Sequence, residues 1–273
     1  MNRKVANILR ILCLIFVAVI FLLPLCWMLS ISLKTPLDTL TVPPKILFKP
    51  VWKNYYRIFQ NPQVIRGFLN SLLFTFTPLI ISLVIGLPAA YAMARYNFAF
   101  KRLFLIGILL GLMIPLMTLA LPYYVIYQRI GLLDTHAGMI IVYLIIDLPF
   151  VIWMMGVFIR QIPVELDESA LIDGCTRTQI LTKVILPVST PGIASAAISC
   201  VIATWNEFLF ALTLTRVRAK TAPVVIGSFM STSGIQWGEM AAMAMILILP
   251  AAAFGLSMQK YYMKGLTAGA LKE

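Results

Sequence analysis

One histidine, four cysteines and ten acidic residues give this 273-residue chain little catalytic or metal-binding vocabulary. Cys13, Cys26, Cys175 and Cys200 are scattered and form no Cys-x-x-Cys pair, so neither a disulfide framework nor a metal site follows from them. His136 stands alone as a loop or helix-end residue, and with no second histidine a nucleophile–base pair is hard to build; a membrane enzyme is disfavoured. The phosphate-cradling pattern Gly-x-x-x-x-Gly-Lys-Ser/Thr is also missing, so any ATP-driven role requires a separate ATP-binding subunit. Charge itself is scarce: 12% of residues are charged, against about a quarter in soluble chains.

Apolar residues fill the space that charge leaves, at 61% of the chain with a mean hydropathy of +0.94. Six apolar runs, near 11–33, 67–92, 103–127, 137–159, 190–214 and 239–259, are long enough to cross a bilayer, which takes about 20 residues each. Lipid offers backbone groups no hydrogen-bond partner, so all six should be helices. The first run is uncharged from Ile11 to Leu33, longer than the roughly 7–15 residues of a signal-peptide core. No small-x-small cleavage pattern follows it, so it is expected to stay as a span. Pro78, Pro88, Pro115, Pro122, Pro149 and Pro250 fall within the runs and predict kinked helices.

The net charge of +12 reflects Lys and Arg flanking spans, where they meet anionic lipid. No basic run or interleaved aromatic stripe points to nucleic acid. With both termini inside, 12 basic residues fall on the cytoplasmic side and 10 outside, so this count does not orient the chain. A first loop over about 34–66, rich in proline and aromatics, predicts extended and turn segments with a short helix around 52–60. Gly131 and Asp134 predict a tight turn near 128–136.

The most informative stretch is polar: residues 163–191, PVELDESALIDGCTRTQILTKVILPVSTP, hold four of the ten acids between apolar flanks. Two short helices and a sharp turn are expected. Pro163 suits a first helical position, and Glu165, Asp167 and Glu168 suit the positive helix end. Gly174 permits the left-handed backbone that stops a helix. Thr176 and Gln179 form a capping box that restarts one. Ile180, Leu181, Val184 and Ile185 share an apolar face, and Pro187 is expected to end it.

Glu168-Ser169-Ala170-x-x-Asp173-Gly174, followed by Ile185-x-Pro187, resembles the "EAA loop" of the permease subunits of binding-protein-dependent ABC importers. Ser169 and Cys175 replace the alanines usual there. The patches 24–34, 87–98, 204–214 and 259–273 extend the resemblance over most of the chain, toward the carbohydrate-uptake branch of the maltose-transporter second-permease type. The resemblance implies an all-α integral membrane fold: six transmembrane helices with a cytoplasmic helix-turn-helix coupling loop between spans 4 and 5. It also implies one transmembrane domain over 1–273, with core spans at about 67–259, a first span and external loop over 11–66, and a cytoplasmic tail over 260–273. Both termini would be cytoplasmic, in a bacterial-type inner membrane.

What the resemblance implies for partners is specific: a second permease forming a heterodimer, two ATP-binding subunits, and an extracytoplasmic substrate-binding protein. This chain would bind no cofactor; ATP and Mg would sit on the ATPase subunits. The ATPase-coupling residues carried over are Glu165, Glu168, Ser169, Ala170, Asp173, Gly174 and Pro187, with Glu168 facing a basic ATPase residue. Asp173 either braces the turn or touches the partner. The tail residues Gly265, Leu266, Thr267, Ala268 and Gly269 would form a second ATPase contact. The cargo class is an oligo- or disaccharide, with a polyol, monosaccharide or glycerol-phosphate as further members of the branch.

Three polar residues in apolar surroundings are candidates for the substrate path. Asp147 lies mid-span, where an unpaired acid costs a few kcal/mol; it faces either the sugar path or a neighbouring helix. Asn206 and Glu207 lie in the fifth run, and Glu207 serves either a sugar hydroxyl or a helix–helix contact. Two rival readings stay open on the sequence. One is an ABC permease for a non-sugar solute. The other is an ion-coupled secondary transporter with Asp147 as its coupling acid.

Overall fold

The computed structural model describes the backbone of residues 3–231 and 234–270, and the side chains of 7–230 and 234–259. Among these residues the fold is helical apart from a two-stranded hairpin, β1 (Met230–Ser231) and β2 (Gly234–Ile235). The chain divides into two compact units, residues 1–65 with 225–249 and residues 66–224 with 250–273.

The first unit contains α1 (Arg3–Ser32), α2 (Pro36–Thr39) and α3 (Lys53–Gln60), the last where a helix around 52–60 is expected. Residues 7–27 of α1 are all exposed. A helix apolar all round with no buried face belongs in lipid or against another chain. The end of α1 is held by α3: Asn54 Nδ2 donates to the carbonyls of Ser32 (2.8 Å) and Lys34 (3.0 Å). Those carbonyls have no acceptor-satisfying turn beyond them, so the amide replaces the missing helical donors. The buried Lys34 ammonium lies over the rings of Trp27 and Phe48, 4.8 and 5.0 Å from their centroids. Arg57 pairs with Glu239 at 2.8 Å. Gly238 abuts Asn54 so closely that a Cβ would lie 2.5 Å from its amide nitrogen.

The second unit holds most of α4 (Pro62–Arg95), then α5 (Lys101–Met113), α6 (Leu116–Ile130), α7 (His136–Arg160), α8 (Glu165–Ile172), α9 (Arg177–Val188), α10 (Thr190–Trp205) and α11 (Leu209–Leu214). A short α12 (Ala222–Gly227) and the long α13 (Trp237–Ala270) complete the chain. Helices α1, α4, α7 and α13 are each long and apolar enough to cross a membrane; the bent pairs α5–α6 and α9–α10 pass the same test only when each pair is taken together, so length and composition allow four to six spans among the described residues.

The expected third span is thus broken, by 96° between α5 and α6. Pro115 cannot donate to the helix and forces Ile114 into extended backbone, φ −68°, ψ 123°. The expected fifth span, 190–214, is also discontinuous: α10 stops at Trp205 and α11 starts at Leu209. Close packing fixes the rest. Val151 on α7 fits against Gly86 on α4, and Phe158 on α7 covers Gly192 on α10, where a Cβ would come within 2.6 Å of the ring.

The turn between α6 and α7 is built around the two residues that predict it. Gly131 (φ 72°) closes α6 and Asp134 adopts φ 56°. Asp134 also reaches across the unit. Its carboxylate accepts the backbone N–H groups of Arg216, Val217, Arg218 and Ala219 at 2.9–3.1 Å. Partial burial pushes the carboxyl up, but these four donors outweigh it and hold it below the ordinary aspartate value. A depressed folded-state value contributes stability that is present above the unfolded-state value of about 3.9 and is lost as pH falls through the folded one. Asp134→Asn should therefore lower the thermal midpoint in detergent at pH 7, and the gap to the parent chain should close as pH falls below about 4. An equal gap at every pH would contradict this.

Candidate functional site

Loop 163–191 folds as two helical segments about a tight turn. Helix α8 begins at Glu165, two residues after Pro163, so Pro163 lies ahead of the helix rather than at its first position. Its end is a glycine stop: Cys175 N donates to Ala170 O (2.9 Å), Gly174 N donates to Leu171 O (3.0 Å), and Gly174 has φ +82°. The capping box restarts the chain as expected: Gln179 Oε1 accepts Thr176 N at 2.8 Å and Thr176 Oγ1 accepts Gln179 N at 3.4 Å. Residues 180–185 widen into a π-turn, in which Leu186 N reaches back to Leu181 O. Pro187 therefore lies within α9 rather than ending its apolar face, and the 76° bend falls at Ser189. The wider turn accommodates a residue that has no N–H to donate.

Burial divides the loop into an inner and an outer surface. Ile180, Leu181 and Ile185 are buried, as is Ala170, which packs into the chain's own core with Leu87, Tyr91 and Ile159. Glu165, Glu168, Ser169, Asp173, Gly174 and Pro187 are exposed. Ser169 Oγ donates back to Glu165 O at 2.7 Å. Beside the turn, Ile172 is 87% exposed, an apolar side chain at the tip of a polar loop.

The residue that sequence reasoning undervalues is Asp167, read there only as a helix-end acid. It is 4% exposed. Tyr91 OH donates to its Oδ1 at 2.6 Å, and Arg95 Nε lies 2.8 Å from Oδ2, an ion pair whose N–H is not aligned for a hydrogen bond. Arg95 Nη2 also donates to Ile162 O at 3.0 Å. In the second arm, the Arg177 guanidinium lies 5.5 Å from the Tyr96 ring centroid. The cue in the sequence is a burial pattern, Asp167 with Ala170 three residues on, opposite the exposed acids; what it faces is a long-range matter.

The three polar candidates inside the membrane prove different in kind. Glu207 sits at the break between α10 and α11. Its Oε1 accepts Phe210 N (2.7 Å), and its Oε2 accepts Ala211 N (3.1 Å) and Tyr143 OH (2.8 Å). It thus caps α11, supplying acceptors to N–H groups that the break leaves without helical partners. Asp147 is 1% exposed, and its Oδ2 has no hydrogen-bond partner. Asn206 is exposed, with Nδ2 donating to Ile202 O at 2.8 Å. A cavity of about 370 Å³ lies around the α5–α6 break, lined by Leu112, Leu119, Tyr123, Ile146 and Phe210 among others. Its lining is apolar apart from Tyr123, and none of the three candidates lines it. No cluster of three His, Cys, Asp or Glu side chains fit to hold a metal occurs among the described residues. The side chains of Gly265, Leu266, Thr267, Ala268 and Gly269 lie outside the described residues.

Among the described residues the chain is helical, with several helices long and apolar enough to cross a membrane, a 96° bend between α5 and α6, and a structured polar loop over 163–191. Residues 82–267 match the family described as "binding-protein-dependent transport system inner membrane component", and the chain belongs to that family. It is 38% identical over 257 residues to the trehalose transport system permease protein SugB of Mycobacterium tuberculosis, covering 92% of each chain. It is 35% identical over 270 residues to the trehalose/maltose transport system permease protein MalG of Thermococcus litoralis, covering 97% of each. Its fold matches a chain of a bacterial ABC transporter involved in the import of the acidic polysaccharide alginate, with a TM-score of 0.74 at 21% identity over 95% of this chain and 97% of that one.

Because Glu207 holds three buried donors, Glu207→Ala should cost about 3 kcal/mol, roughly one per orphaned group, read as a lowered unfolding midpoint in detergent. Glu207→Gln, which keeps an acceptor oxygen, should lose less. An unchanged midpoint with loss of transport would place Glu207 on the substrate path instead.

Proposed function

We propose that this chain is the transmembrane permease subunit of an ATP-driven importer, carrying a carbohydrate that a binding protein delivers to the outer face. The observation that carries the proposal is loop 163–191: a rigid hairpin, internally capped at its turn, buried on one side and presenting Glu168, Ile172, Asp173 and Gly174 on the other. A solvent-facing tip with an unburied isoleucine suits insertion into a cleft of another subunit. Membership of a binding-protein-dependent family supports this reading over an ion-coupled carrier centred on Asp147. The names of the relatives supply the cargo class: trehalose and maltose are disaccharides, and the branch extends to polyols, monosaccharides and glycerol-phosphate.

In this reading Glu165, Glu168, Ser169, Asp173, Gly174 and Pro187 form the ATPase-coupling surface, with Glu168 making a charge-assisted contact to a basic residue. Ala170 keeps the inner side of α8 close to the core. Gly265 to Gly269 give a second ATPase contact. The working assembly is a heterodimer of this chain with a second permease, two ATP-binding subunits that hold ATP and Mg, and the binding protein. The loop and both termini face the cytoplasm, and the chain acts as one transmembrane domain. Asn206, exposed at the break after α10, is the polar candidate left for the substrate path; Asp147 serves helix packing.

Affinity purification of the tagged chain from its native membrane tests this. The intact chain should bring down an ATPase and a second permease, and a Glu168→Arg, Gly174→Pro variant should lose the ATPase. A lone, stable protein would sink the proposal. For Asp147, the Asp147→Asn variant should retain ATP-driven uptake of labelled trehalose or maltose; loss of uptake with normal assembly would give its charge a transport role.

A further inference from the structure

The coupling surface explains how the loop meets a partner but leaves open how a push on the tip reaches the spans. Its tip and base differ sharply. Ile172 is exposed, whereas Asp167, five residues back along α8, is buried against the end of α4. Both oxygens of Asp167 face that helix end: Oδ1 accepts the Tyr91 hydroxyl at 2.6 Å, and Oδ2 is ion-paired with Arg95 Nε at 2.8 Å without an aligned hydrogen bond. Tyr91 and Arg95 are four residues apart, so they share one face of α4. Arg95 also holds the entry to α8 through Ile162 O. Tyr96, the next residue, makes an edge-on contact with Tyr91 at 6.0 Å between centroids and underlies Arg177 of the second arm. Residues 91–96 therefore grip both arms of the loop.

An ion pair is a costly way to achieve adhesion. Burying both charges carries a large desolvation cost, and an apolar contact of similar volume is often as stable. What this contact supplies is direction: an apolar contact slides, whereas a carboxylate that accepts the Tyr91 hydroxyl at Oδ1 and faces a guanidinium at Oδ2 is fixed in position. Such a joint suits transmitted displacement.

Resting on the coupling role proposed above, we propose that Tyr91, Arg95 and Asp167 form the joint that passes movement of loop 163–191 to α4. Asp167 is a positioning residue of transport: without it the ATPase still docks, but the loop moves without the span.

The test uses the whole transporter, purified by the tagged chain. In a background with Cys13, Cys26, Cys175 and Cys200 replaced by serine, a probe cysteine placed by Ile80→Cys, on the exposed side of α4, or by Thr178→Cys, on the loop, carries a nitroxide label. Paramagnetic resonance line shapes are compared in the absence of nucleotide and in ATP plus vanadate. In the parent, both positions should change line shape on trapping. In Asp167→Asn the ATPase should co-purify as before and position 178 should still respond, while the change at position 80 falls by roughly tenfold, the scale of a typical coupling free energy. Tyr91→Phe, which removes one hydrogen bond and leaves the ion pair, should give an intermediate loss, and it serves if Asp167→Asn does not assemble. Asp167→Glu should restore part of the response. An undiminished change at position 80 in Asp167→Asn or Tyr91→Phe overturns the joint, as does a parent in which only position 178 responds. Absence of any ATPase from the parent preparation would instead refute the importer reading beneath it.

Discussion

Hydrocarbon offers no hydrogen bonds, so a helix that breaks or ends there needs other groups to satisfy its backbone. Several polar side chains of this chain replace the partners that a helix loses. Glu207 does so for α11, accepting two backbone N–H groups and the Tyr143 hydroxyl. Asn54 does so for the end of α1 by donating to two carbonyls. Asn70 donates in the same way to the carbonyls of Arg218 and Lys220, while its oxygen meets His136 at 3.1 Å. Asp134 satisfies four successive N–H groups of the same segment. Glu207, Asn54, Asn70 and Asp134 are thus committed to backbone groups, which takes these four out of the set free to meet a substrate.

This economy bears on transport. A permease that rocks between two states benefits from spans that move as stiff bodies and hinge at defined points. The breaks at Ile114–Pro115, at Ser189 and after Trp205 supply such points, each closed by a proline constraint or a side-chain cap rather than by loose chain. The polar loop before α10 obeys the same logic on its outer surface, where its own capping interactions keep the turn rigid and leave the tip free. Force applied at that tip has a defined route into the membrane through Asp167.

Local signals in the sequence were legible because they operate over a few residues. Thr176 and Gln179 lie three apart, and their reciprocal bonds appear as expected. Gly174 has the positive φ that its place after α8 demands. The helix over 53–60 and the turn at Gly131 and Asp134 follow from proline and glycine spacing. The misread features involve competition or distance. Pro187 does not end its helix, because a π-turn absorbs the missing donor. Residues 190–214 are apolar enough to read as one span, and the contacts of the Glu207 carboxylate at the break are made only in the folded chain. Asp167 looks like one of three helix-end acids; its partners on α4 lie far away in sequence, and no spacing rule connects them.

The central claim is that this chain works by seating loop 163–191 in an ATP-binding partner. Its most direct test is a single-particle structure of the assembly purified from the native membrane with this chain as bait. The account predicts two ATP-binding subunits, with residues 165–174 of this chain lodged in one of them. A particle without those subunits, or one in which residues 165–174 face solvent in every state, would contradict it.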